Sequence, residues 1–235
     1  MGVRRDSSLR MVSTTSRDNG LRRYMSKVYG YMCIGLCVSG AIAYAASTNL
    51  ALMSAIFQTK LYWLVIAAPM LLVVVISSAF QKMSPRTALF AFIGFAAAMG
   101  LSLSSIFLIY RIDSIVSVFG VAASLFATMC AYGYLTKRDL TSFGSFLMMG
   151  VFGLLIALFV NVFMRNSLLD LALSAVGVIV FTGLTAYDAQ KIRNVYYMGL
   201  DDQLVAKSAV FGALNLYINF INMFIAMLRL FGSRK

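Results

Sequence analysis

Seven apolar stretches, each about as long as a lipid bilayer is thick, decide what this chain can fold into. They cover residues 28–46, 61–80, 87–109, 114–135, 141–164, 168–190 and 207–230, and a helix needs roughly 20 apolar residues to cross the hydrocarbon. Most links between them are short, which makes consecutive helices antiparallel neighbours. The expected fold class is an all-α integral membrane protein with seven transmembrane helices. Composition agrees: 61% of the 235 residues are hydrophobic and only 12% are charged, where soluble domains carry about a quarter. The mean hydropathy is +0.86. No internal repeat is visible, and no length remains for a second folded domain.

Residues 1–27 precede the first stretch. They are polar, basic and rich in Ser and Thr, and read as a flexible cytoplasmic tail ahead of a transmembrane domain over 28–231, with a short basic C-terminus at 232–235. A cleaved signal peptide around LRRYMSK and the following apolar run is the competing reading. The long tail and the six further apolar runs argue against it.

Charge is sparse and one-sided, with 20 Lys and Arg against eight acids, all of them Asp, and a net charge of +12. The chain has no His, which excludes Ser-His and Cys-His nucleophile pairs, His-ligated zinc and histidine pH sensing. Nucleic acid is not an expected partner, because the basic residues flank apolar runs as topology signals do. Fourteen of them lie in the tail and the alternate links 81–86, 136–140 and 191–207. The other six are Lys60, Arg111, Arg165, Arg229, Arg234 and Lys235. This bias puts the N-terminus in the cytoplasm, although seven crossings then carry three C-terminal cations to the opposite side, against the rule. Cys33, Cys37 and Cys130 read as ordinary packed thiols.

Within the apolar runs, FAAAMGLSLSS (95–105) offers small residues for close helix approach. Two polar clusters need more explanation, since ionisable groups at membrane depth are functional candidates by default. In FTGLTAYDAQKI (181–192), Thr182, Thr185, Asp188 and Lys191 recur every third residue and share a helix face. From the residues alone, Asp188 is either paired with Lys191 at a wet helix end or a buried functional acid. In GALNLYINFINMF (212–224), Asn215, Asn219 and Asn222 form a stripe on an apolar helix. It must face other helices or water, as interhelical glue or as a pathway lining. Asp188 and Asn219 reach the same depth if the sixth helix continues through RNVYY and the seventh starts later than Lys207.

GVIVFTGLTAYDAQKIRN and FGALNLYINFINMFIAMLRLFG resemble the two signature segments of the Bax inhibitor-1 family. YGYLTKRDLTSFGSFLMMG (132–150) and the basic tail leading into YMSKVYGYM resemble its bacterial branch. The resemblance spans nearly the whole chain. It implies seven transmembrane helices, the last central and surrounded by the other six, and a pH-sensitive calcium leak of the inner membrane. It further implies a proton-sharing aspartate pair on the sixth and seventh helices that biases a gate.

Carried over by residue, the sixth-helix acid is Asp188 and the seventh-helix position is Asn219, so the second carboxylate is absent. An amide cannot ionise, but it donates to a carboxylate. Any Asp188-dependent response is therefore expected to be weaker near neutral pH and displaced toward acid. The family's basic residue near the end of the second helix corresponds best to Lys82, then Arg86, and both also fit as positive-inside anchors.

Three function classes follow. The first is an inner-membrane cation leak with calcium as permeant ion, weakly held by Asp188, and with no tightly bound cofactor. The second is a non-conducting regulator that binds a membrane protease or stress-response partner through its basic tail. An enzyme is the remote third, for want of any nucleophile, base or metal motif beyond Asp188.

Overall fold

The computed structural model of the chain describes residues 3–57, 61–79, 82–198 and 201–235; Lys60, counted above for orientation, lies outside them. The described residues form eight α-helices: α1 (Val3–Thr48), α2 (Leu50–Phe57), α3 (Leu61–Ala79), α4 (Pro85–Ile109), α5 (Ile112–Leu135), α6 (Thr141–Met164), α7 (Ser167–Tyr197) and α8 (Asp202–Phe231). Six are long and apolar enough to cross a membrane: α1 over Asp18–Thr48, and α4 to α8. The stretch at 61–80 does not reach that standard among the described residues, where its apolar part is Ala67–Ala79.

Side-chain pairings fix the direction of the chain. Ser39 reaches the Ala96 carbonyl, Gly100 lies against Ser39 and Ile42, and Tyr44 meets the Phe107 ring edge-on at 6.1 Å. The numbers climb together, so α1 and α4 run parallel. The segment between Thr48 and Pro85 must then carry the chain back, and α3 lies on α4, with the Ser102 hydroxyl on the Val65 carbonyl at 2.5 Å. We call the end holding the α5–α6 link the inner end, and the end holding the α4–α5 link the outer end.

The expectation of a central last helix holds for its burial and changes for its company. In α8, 72% of the apolar window is buried, against at most 33% in any other span. Its neighbours are α1, α4, α5 and α7; α3 leans on α4 and α6 on α7. Polarity explains the order. α6 is the most apolar span, at a mean hydropathy of 2.5, and only 11% of its window is buried. Any face of such a helix can be left to lipid, whereas the asparagines of α8 need protein around them.

The boundary expected at residue 27 falls inside a helix. Leu21, Tyr24, Met25, Val28 and Met32 are all buried in the core, and their spacing is one continuous helical stripe. Averaged polarity hides this stripe, because Arg22, Arg23, Ser26 and Lys27 occupy the other faces. Cys130 is buried, but Cys33 and Cys37 are exposed on the flank of α1 rather than packed in the core.

At the outer end, residues 232–235 fold back on the α4–α5 corner. Tyr110 and Arg234 form an antiparallel bridge, with Arg111 N–H donating to the Ser233 carbonyl at 3.1 Å and Lys235 N–H to the Ile109 carbonyl at 3.0 Å. The basic C-terminus is therefore part of the fold.

Candidate functional site

The site forms where α7 crosses α8. Asn219 Nδ2 donates to Asp188 Oδ2 at 2.7 Å. A carboxylate can only accept, which fixes the amide with its nitrogen toward the acid. Asn219 is buried and Asp188 half-buried. The contact belongs to a regular antiparallel register: Gly177 meets Ala226, Thr182 donates to Met223 Sδ at 3.3 Å, and Gly212 packs on Ile192.

This register corrects one expectation about depth. α7 does continue through RNVYY, to Tyr197, but α8 begins before Lys207, at Asp202. Carried to the inner end, the register sets Lys207 level with the last turn of α7, and residues 202–206 form an extra turn beyond it. From there Asp188 and Asn219 lie about 14 Å and 18 Å along their helices at 1.5 Å per residue. The extension of α7 alone accounts for their meeting.

The neighbours hold the Asp188 turn from three sides. A Cβ on Gly133 of α5 would collide with the Ala186 backbone, so only glycine lets α5 come this close to α7. The Cys130 thiol of α5 faces the Tyr29 hydroxyl of α1 and lies within electrostatic range of Asp188. Within a turn and a half beyond the acid, α7 also organises the α5–α6 link. Gln190 accepts from Leu140 N–H at 2.9 Å and donates to the Arg138 carbonyl at 2.7 Å, and Arg193 caps the end of α5 through the Tyr134 and Thr136 carbonyls. Sequence reading missed both residues. A Gln two positions after the acid, still within the helical apolar pattern, was the available signal.

The other candidates separate. Lys191 is exposed, lies over the Tyr187 ring at 5.8 Å and makes no ion pair with Asp188. The helix-end pairing is thus not what holds the acid. Lys82 and Arg86 are exposed near the α3–α4 link and make no ion pair with Asp188. Thr185 is buried but bonds back to the Phe181 carbonyl of its own helix. Asn222 does likewise with Ile218 and lines a cavity of about 160 Å³ between α6, α7 and α8 with Ser174 and Leu154. Asn215 is half-buried and belongs to neither contact. The stripe is one interhelical bond and two independent amides.

Among the described residues, no three or more His, Cys, Asp or Glu side chains come together as a metal cluster. Asp188 offers one carboxylate with an amide beside it, far short of the six to eight oxygens of a tight calcium site. A second polar node lies elsewhere in the core. There Tyr217, buried between Phe92 and Phe95, bonds its hydroxyl to Ser39 at 2.5 Å, and Ser39 bonds to Ala96 at 2.8 Å.

Fold and site together define a multi-pass, all-helical membrane protein whose central helix bonds the half-buried acid of its neighbour. A family model described as "Inhibitor of apoptosis-promoting Bax1" matches residues 21–235. The chain is 41% identical over 222 residues to inner membrane protein YbhL of Escherichia coli strain K12, covering 92% of this chain and 94% of the relative. It is 40% identical over 228 residues to RP147 of Rickettsia prowazekii, covering 95% and 97%, and 43% identical over 215 residues to a protein of Borreliella burgdorferi, covering 91% and 93%. The chain belongs to the Bax inhibitor-1 family.

Proposed function

We propose that the protein is a pH-sensitive cation leak of a bacterial inner membrane, passing calcium slowly, with Asp188 as its proton- and cation-binding group. The observation that carries this reading is the 2.7 Å bond from Asn219 to Asp188, which joins α7 to the central helix through a titratable group. An ionised carboxylate accepts a charge-assisted bond; once protonated, the pair is neutral and about half as strong. Loosening that tie biases α8 between two packings, as in any two-state switch. One carboxylate and one amide hold calcium weakly, which suits transit and not storage.

The inner-membrane assignment is supported by the name of the E. coli relative. Seven crossings are supported by the parallel course of α1 and α4, which requires α3 to return. The fourteen-to-six bias of basic residues supports a cytoplasmic inner end. No catalytic step is assigned to the chain, and calcium is its cargo, not a bound cofactor.

Calcium flux into proteoliposomes, measured from acidic to neutral pH, tests the reading. Asp188→Asn is expected to abolish the pH dependence. Asn219→Asp brings two carboxylates together, couples their titration, and is expected to move the midpoint toward neutral pH. Flux indifferent to both substitutions ends the proposal. The rival reading, a regulator working through its N-terminal segment, is separated by removing residues 1–17. Cutting there spares Leu21, Tyr24 and Met25, which are part of the core. A leak survives this truncation, and a tail-mediated partner role does not.

A further inference from the structure

We propose that the outer half of the molecule binds one anionic phospholipid, with an acyl chain in the groove between α1, α4 and α5 and the phosphate on Arg111, Arg234 and Lys235. This site is independent of ion conduction. α4 and α5 are joined by two residues, and a groove opens between them and α1 over the central helix. The resulting cavity, about 290 Å³, has Gly40, Phe107, Ile115 and Phe119 in its walls and Ile221 and Phe224 of α8 as its floor. Nothing lies within 4 Å of the position a Cβ would take on Gly40, and Phe119 is 42% exposed. In a membrane, hydrocarbon fills such a groove, because its walls are almost wholly apolar and the one hydroxyl among them, on Ser39, is already bonded to Ala96 and Tyr217.

The charge at its mouth selects the headgroup. Lys235 Nζ donates to the carbonyl of Phe107, a wall residue, at 2.8 Å, which leaves two of its three donors free. Arg111 lies one turn above Ile115, whose N–H bonds the Arg111 carbonyl at 3.0 Å. Arg234 is held beside Tyr110 by the bridge. These three cations share a pocket with a single acidic side chain, Asp113, which lies 3.7 Å from Arg111 in an exposed pair. Arg111 also starts α5 without a side-chain cap, so the first N–H groups of that helix have no side-chain partner and suit a phosphate. A zwitterionic headgroup gains the phosphate contact but brings its own cation to a cationic corner. An anionic one does not.

Native mass spectrometry of the full chain tests this with dioleoyl phosphatidylglycerol against dioleoyl phosphatidylcholine. Retention of phosphatidylglycerol is expected to exceed that of phosphatidylcholine severalfold. The double variant Arg111→Gln, Lys235→Gln should bring the two to parity, and Arg111→Lys should keep the preference. Gly40→Leu, which fills open space and spares the charges, should lower retention of both lipids. Equal retention of the two lipids by the native chain overturns the proposal. So does a preference that survives the loss of both charges, or retention that Gly40→Leu leaves unchanged.

Discussion

Near its midpoint α8 meets α7 through side chains, with Asn219 donating to Asp188. At its outer end the chain pairs main chain to main chain, residues 232–235 lying along the α4–α5 corner. The first tie depends on the ionisation of one carboxylate. The second uses backbone groups, the Ser114 hydroxyl and the Lys235 ammonium, and no acidic side chain. A helix held in this way has one tie that titration of Asp188 can loosen and one, at the α4–α5 corner, that it cannot; a second acid of α7, Asp170, reaches α8 through the Arg229 pair at 3.4 Å.

The comparison can be broken hardest at its support. Gly133→Val sets a branched side chain into the Ala186 backbone. Overpacking of this kind costs about 1–3 kcal/mol or more, and a large loss of monodisperse protein is expected on size-exclusion chromatography. Asn219→Ala is next. It leaves the half-buried Asp188 carboxylate without its donor, at about 1–3 kcal/mol, and should lower the melting temperature at neutral pH more than in acid, where the carboxyl is neutral. If the loss is the same at both pH values, the titratable tie is not what stabilises the α7–α8 contact.

Deleting residues 233–235 removes four hydrogen bonds at an exposed corner, each worth at most about 1 kcal/mol, and is expected to lower the melting temperature equally at all pH values, since none involves a carboxylate. A pH-dependent loss would erase the contrast between the two ends. Smallest is Asp139→Asn, at the start of α6. The Thr141 hydroxyl at 2.6 Å and then its N–H at 2.9 Å hold this exposed carboxylate below the usual range. A depressed acid contributes above its ordinary range and loses that contribution as pH falls through the folded value. The variant's small deficit should therefore appear at neutral pH and vanish in acid.

Much of this was legible in the chain, because hydrophobic length and periodicity report what lipid demands. The helices α4 to α8 follow from apolar runs, and the choice of Asp188 and Asn219 from the cost of polar groups at depth. Three things were not legible. The core face of α1 around Leu21 and Tyr24 was masked by arginines on the neighbouring faces. The role of Gln190 depends on the path of residues 136–140, which no periodicity encodes. Whether Lys191 or Asn219 would take the carboxylate was a contest between a neighbour on the same helix and one on another. The interhelical partner has it, while Lys191 lies over Tyr187 at the solvent-exposed edge of the bundle.

Asn215, Asn219 and Asn222 stand about one helical turn apart on α8. The α7–α8 register sets the middle one against the acid. Seen along the axis they are rungs of a ladder, about 5.4 Å from one turn to the next. A screw step of α8 by one turn would exchange one amide for another at the same carboxylate. A second aspartate in place of Asn219 would mark a single rung; three amides mark a scale.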